Sequence, residues 1–125
     1  MSRKLHMQVF DDFVTTGTSG VVTKPEFNDQ LGAVDQLAIQ LIGDQVTVTG
    51  TVTVAIQHSS DQQNWSQKNA TAEINAAALT AGSTNVRFGS DAGATPSLGY
   101  VRLVITITTT TQVHIKLWVT GRVQG

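Results

Sequence analysis

In the stretch AIQHSSDQQNW, residues 55–65, a His, two Ser and an Asp follow one another as His58, Ser59, Ser60 and Asp61. These are the residue types of a nucleophilic triad, in which a base takes the hydroxyl proton and a carboxylate orients the base. The spacing argues against that chemistry. Adjacent residues at a strand end point to opposite sides, and triads are assembled from residues distant in sequence. No G-x-S-x-G elbow presents a serine either. The three His, at positions 6, 58 and 114, each stand alone in a separate segment, with no H-x-H or H-E-x-x-H pairing. A metal site needs several ligands converging. Glu occurs only at positions 26 and 73, and nothing marks a paired-carboxylate site. TGTSG carries glycines but lacks the Lys and following helix of a phosphate-binding loop. The expectation is a non-enzymatic protein that needs no metal and no cofactor.

Composition narrows the classes further. The 125 residues suit one domain, 1–125, with a short N-terminal arm at 1–4. Charged residues are only 14% of the chain and the formal net charge is −1, so there is no global attraction to nucleic acid or an anionic membrane. Aromatics, at 6%, are too few for a single-strand nucleic-acid platform. No apolar run approaches the ~18 residues of a membrane helix, and the N-terminal MSRKLHMQVFDDF lacks the apolar core of a secretory signal. A soluble, unexported protein is expected, and the sequons at Asn64 and Asn69 then read as chance. The absence of Cys excludes disulfides and thiolate chemistry.

The elements that would position these residues are strands. Thr and Val are abundant, and β-branched side chains suit a pleated surface better than a helix. Period-two alternation puts Leu37, Ile39 and Leu41 on one face, and Val52, Val54 and Ile56 on another after a turn at GDQ. The second run starts at Val46, with a bulge or bend expected at Gly50. Residues 100–123 read as a hairpin. Val101, Leu103, Ile105 and Ile107 form one apolar face, and Val113, Ile115, Leu117 and Val119 the matching one, around a turn at 109–112. LHMQVFDDFV, GVVTK and NVRFG read as further strands, and residues 25–36 and the stretch GSDAGATPSLG as loops. ATAEINAAALTAG is open between a helix and a strand with a connection. About eight strands without interleaved long helices predict an all-β, antiparallel β-sandwich, an eight-stranded jelly roll.

The opening stretch also carries a resemblance. A strand followed by S-x-D and a Trp (Ser59, Asp61, Trp65), then a later strand beginning Tyr100, Val101, Arg102, resembles two groups. One is the galactose-binding-like, discoidin-type jelly rolls. The other is the β-sandwich decoration or cement proteins and related accessory virion proteins of tailed bacteriophages. Both resemblances imply that Ser59, Asp61 and Trp65 build a structural turn, since Ser and Asp side chains can bond nearby backbone N–H groups. The discoidin-type domains are usually longer, exported and disulfide-linked, so a short Cys-free chain favours the virion group.

Two functions follow as expectations. The first is a structural virion protein, assembled in the host cytoplasm, that docks on a capsid or tail and stabilises it. Its partners would be the major capsid protein or another virion protein and further copies of itself, as a trimer, because such cement proteins often sit at threefold positions. Stable contacts of this kind bury ~1,200–2,000 Å². The second is a carbohydrate-binding module, for which the candidate aromatics are Trp65, Phe88, Tyr100 and Trp118. His114, Lys116 and Trp118 alternate out of phase with the apolar face of the last strand, and so stand as a possible interface.

Overall fold

The computed structural model describes residues 2–15, 19–23, 34–91, 98, 100–108 and 112–124. Among these there are nine strands and no helix: β1 (Ser2–Thr15), β2 (Ser19–Thr23), β3 (Val34–Asp44), β4 (Gly50–Ser59), β5 (Ser66–Gln67), β6 (Ile74–Leu79), β7 (Asn85–Ser90), β8 (Tyr100–Thr108) and β9 (Gln112–Gln124). One sheet has the order β1-β9-β3-β7. The other runs β2-β8-β4, with the short β5 and β6 both on the remaining edge of β4. Every pairing is antiparallel. With the two-residue β5 set aside, eight strands pass between two sheets in the order of two interlocked Greek keys, which is a jelly roll.

Alternation explains the core. β3 contributes Leu37, Ile39 and Leu41, β4 contributes Val52, Val54 and Ile56, and β8 and β9 contribute the eight apolar residues of their two faces, all buried between the sheets. Each such side chain, fully removed from water, stabilises the fold by ~1.5–3 kcal/mol. β1 joins through Val9, Phe10 and Val14. Val9 and Phe10 are buried consecutively because the register with β9 shifts between Gln8 and Phe10, a bulge that turns two neighbours inward.

Several expectations change. Residues 100–123 are not a hairpin: β8 pairs with β2 and β4, whereas β9 pairs with β1 and β3 in the opposite sheet. Their apolar faces do meet, but across the core. Period-two burial records which side of a strand is covered, and says nothing of which neighbour supplies its hydrogen bonds. The turn expected at 109–112 lies outside the described residues as far as 111.

The strand expected from Val46 begins only at Gly50, after Gln45 leaves β3 in the left-handed region at φ 54°. The irregularity expected at Gly50 lies further along, between Val52 and Val54, and the extra residue belongs to the partner β6. Ala76 takes it up at φ 48°, and its N–H donates to Thr53 Oγ1 at 3.0 Å. The ambiguous alanine-rich segment is thus a strand. The bulge breaks its alternation, leaving Ile74 and Leu79 as its buried ends.

The arm expected at 1–4 is, from Ser2 onward, part of β1, with Ser2 opposite Gln124. The last three residues of the loop expected at 25–36 belong to β3, and the rest of that loop as far as 33 lies outside the described residues.

Candidate functional site

Among the described residues, three places bring chemistry-bearing side chains together. The first is the loop leaving β4. Ser59 is 1% exposed. Its hydroxyl donates to Asp61 Oδ1 at 2.9 Å and accepts the N–H groups of Asp61 (3.1 Å) and Gln62 (3.0 Å). Asp61 Oδ1 also accepts from the N–H groups of Gln63 (2.9 Å) and Asn64 (2.8 Å), and Oδ2 from Asn64 Nδ2 (2.7 Å). These donors, first the backbone N–H of Asn64 and then that of Gln63, hold the Asp61 carboxyl far below the ordinary carboxylate range.

The loop then delivers Trp65, whose indole N–H donates to Gln62 O at 3.2 Å. Its ring lies against Arg102 of β8, and Arg102 Nε donates to Gln57 Oε1 of β4 at 2.8 Å. Tyr100 is half-buried opposite Ser59, and Val101 points into the core. No triad forms here: the Ser59 hydroxyl proton is given to Asp61, and His58 Nδ1 instead accepts the Leu98 N–H at 3.2 Å.

The second place is the outer face of the β1-β9-β3-β7 sheet, where His114, Lys116 and Trp118 project from β9. Register lays one cross-strand row as Gln8, Trp118, Gln40 and Phe88, and the next as His6, Thr120, Ala38 and Ser90. His6 stacks on Trp118, with centroids 5.2 Å apart and planes 17° apart, and its Nδ1 hydrogen-bonds Thr120 Oγ1 at 2.8 Å. Between these side chains and Phe88, which is 69% exposed, lies an open groove of about 230 Å³.

Further along the same face, His114 sits between two carboxylates, with Asp11 Oδ1 2.5 Å from Nε2 and Asp44 Oδ1 2.9 Å from Nδ1. Only the imidazolium donates from both nitrogens. The hydrogen bond to Asp11 above all, aided by Asp44 and the two negative charges and opposed by partial burial, raises the His114 pKa above its ordinary value. The two carboxylates lie at opposite ring nitrogens and do not converge on a point. Among the described residues no group of three or more His, Asp or Glu is arranged to hold a metal ion.

The third place escaped sequence reasoning. Lys68, just after β5, and Asp91, just after β7, form an ion pair whose side chains are 3% and 6% exposed. Asn69 Nδ2 donates to Asp91 Oδ1 at 2.9 Å and to Glu73 Oε2 at 2.7 Å, while Glu73 Oε1 accepts the Ile56 N–H at 2.8 Å. The cluster joins the two sheets at one end of the sandwich. Its members lie in QKNATAE and at the start of a loop, where polar residues ordinarily face water, so no local signal marked them.

The fold defines a class, the antiparallel jelly roll, and solved structures share it. The whole of this chain superposes on 32% of a chain in the structure of infectious bursal disease virus Gx strain, with a TM-score of 0.68 at 14% identity. It superposes over 99% of its length on 33% of a chain of that virus's VP2 subviral particle, at 0.62 and 10%. The CBM22-1–GH10 modules of Clostridium thermocellum endo-1,4-β-D-xylanase 10B, complexed with xylohexaose, match 90% of this chain and 28% of that one, at 0.52 and 9%. The chain therefore spans about a third or less of the length of these structures. At such identities the likeness is one of fold. No family model matches the chain, and no curated protein matches it.

Proposed function

We propose that the chain is a non-enzymatic structural protein of a virion, a jelly roll that docks on a capsid or tail assembly and stabilises it as a decoration or cement protein. It would act as a homo-oligomer, with a trimer suited to threefold positions. The observation that carries this reading is the outer face of the β1-β9-β3-β7 sheet. Phe88 and Val86 on the edge strand β7 and Phe13 on the opposite edge strand β1 are exposed there, and the half-buried Trp118 lies between those edges on β9. Several large apolar side chains exposed on one solvent face favour a surface that another protein covers. The fold shared with chains of a virus and of a subviral particle supports the same reading. A protein that binds only the assembled state stabilises it by mass action. The test is to quantify the chain in purified virions, strip it and add it back. Fixed stoichiometry and particles that lose thermal stability on stripping are expected. A chain missing from virions, or one whose removal leaves their stability unchanged, overturns the proposal.

A carbohydrate-binding module is the second reading, and the groove favours it specifically. Trp118 and Phe88 offer aromatic surfaces to the apolar side of a sugar ring, and Gln40 and Thr120 offer polar groups. Its volume of about 230 Å³ is below the ~300–1,000 Å³ of drug-sized sites, which suits one or two sugar rings rather than a long chain. Calorimetric titration with neutral mono- and oligosaccharides decides it: saturable heat that disappears in Trp118→Ala supports a sugar site, and no heat at millimolar sugar excludes one.

A further inference from the structure

The geometry points to a covalent cross-link: Lys68 and Asp91 condense to an intramolecular isopeptide bond that staples the two sheets of the sandwich. This inference stands independently of the virion reading.

Both partners are held by backbone before their side chains meet. The Lys68 N–H donates to Ile56 O of β4 at 2.9 Å, and the Asp91 N–H donates to Leu37 O of β3 at 2.8 Å. The two side chains therefore reach toward each other from opposite sheets. Nζ touches Oδ2, and both groups are almost fully removed from water. The His114 pairs, by contrast, lie on an outer face with partly exposed carboxylates. An amine and a carboxyl fixed in contact react as though at very high concentration, because the entropy of bringing them together is already spent in folding. Exclusion of water favours a step that releases water and hinders its reversal. Two buried ions are also costly to desolvate, and the amide product carries neither charge.

The surrounding groups match the step. Lys68 Nζ passes a proton to Asp91 Oδ2, leaving a neutral amine facing a neutral carboxyl. The nitrogen lone pair attacks Asp91 Cγ, and negative charge develops on Oδ1. That oxygen already accepts the Asn69 Nδ2 hydrogen at 2.9 Å, a donor aimed where the charge appears. A second proton moves from nitrogen to Oδ2, the Cγ–Oδ2 bond breaks, and one water leaves. The amide keeps the single remaining hydrogen on Nζ. Atoms and charges balance without oxidant, reductant or co-substrate. Glu73 holds Asn69 in place through Oε2, and is itself fixed by the Ile56 N–H. In a chain without Cys such a bond supplies a cross-link that no reductant can break, and it restricts the unfolded chain as any cross-link does.

The test is the intact mass of the purified protein under denaturing conditions, followed by proteolytic mapping. The proposal expects a species one water lighter than the sequence requires, and a branched peptide joining the segments that hold Lys68 and Asp91. Lys68→Arg keeps the charge and cannot condense, so it should run at full mass, as should Asp91→Ala. Asn69→Ala should lose water on the order of a hundredfold more slowly. Wild-type protein that stays at full mass after long incubation, with the circular dichroism of a folded β protein, overturns the proposal and leaves an ion pair only. Loss of water mapped to a single unbranched peptide overturns it equally.

Discussion

Arg102 lies over the indole of Trp65, its guanidinium carbon 4.3 Å from the ring centroid, and so ties the loop leaving β4 to the outer face of β8. The ring is half-buried and takes no part in the core. Trp65→Ala should therefore destabilise the protein by less than the ~3–5 kcal/mol of a fully buried aromatic. A double-mutant cycle with Arg102→Ala should return a coupling of about 0.5–1 kcal/mol, the range of a partly exposed cation–π pair. Denaturant unfolding of the four proteins measures it, and a coupling near zero would mean that the stack contributes only packing.

Asp61 makes a pH-dependent contribution of known sign. Its folded carboxyl titrates far below the ordinary range because backbone N–H groups of Asn64 and Gln63 bind the ionised form. A group with a depressed folded pKa adds stability above its unfolded pKa, and loses it as pH falls toward the folded value. Asp61→Ala should thus lower the melting temperature at neutral pH, and the difference from wild type should shrink as the medium becomes strongly acidic. Asp61→Asn, which keeps one acceptor oxygen, should fall between the two.

For His114 the sign is opposite. Its folded pKa is raised, chiefly by Asp11, so its stabilisation is fully present below the ordinary His pKa and disappears as pH rises through the folded value. β9 is then gripped to β1 through Asp11 and to β3 through Asp44 in mild acid, and released from one of them in base. Melting curves of wild type and His114→Gln should diverge in mild acid and converge at alkaline pH. A difference independent of pH would assign His114 a packing role alone, against the Phe13 ring 5.0 Å away.

The apolar faces of β3, β4, β8 and β9 were legible in the sequence because burial on one side of a strand forces period two. Partnership was not. Val101–Ile107 and Val113–Val119 look like the two arms of a hairpin, yet the arms lie in opposite sheets, since an alternating strand fits either side of a sandwich equally well. β6 was obscured by a single residue, Ala76, whose left-handed backbone shifts the alternation halfway along. At the candidate sites, Ser59, Asp61 and Trp65 could be grouped because their hydrogen bonds are local. Lys68 and Asp91, 23 residues apart, meet only through the topology. Trp118 and Phe88 each stand out in the sequence as aromatic, but only the β9-β3-β7 register sets them either side of Gln40.

Gly89 reports on how closely β7 approaches the chain before β6. A Cβ added there would lie 2.2 Å from Glu73 O and 2.5 Å from Glu73 C. These are backbone atoms beside the polar cluster and cannot swing aside. Gly89→Ala should destabilise by about 1–3 kcal/mol or more, as overpacking does. It should also disturb the Glu73–Asn69–Asp91 hydrogen bonds, visible as faster amide exchange at Ile56, whose N–H donates to Glu73.

Phe88 separates the proposed docking face from the fold that carries it. At 69% exposure on β7 it contributes little to the core, so Phe88→Ser should leave unfolding within roughly 0.5 kcal/mol of wild type. An aromatic at the centre of an interface, by contrast, typically costs ~2 kcal/mol or more when truncated. Add-back of Phe88→Ser to stripped virions should therefore need at least about 30-fold more protein than wild type. Trp118→Ala is the less clean probe, because the indole also stacks on His6 and its loss would loosen β1 against β9. Unchanged melting with lost docking would place the contact on the β1-β9-β3-β7 face. Unchanged melting with full docking would move the contact off that face and leave the groove beside Phe88 to be judged by its sugar titration alone.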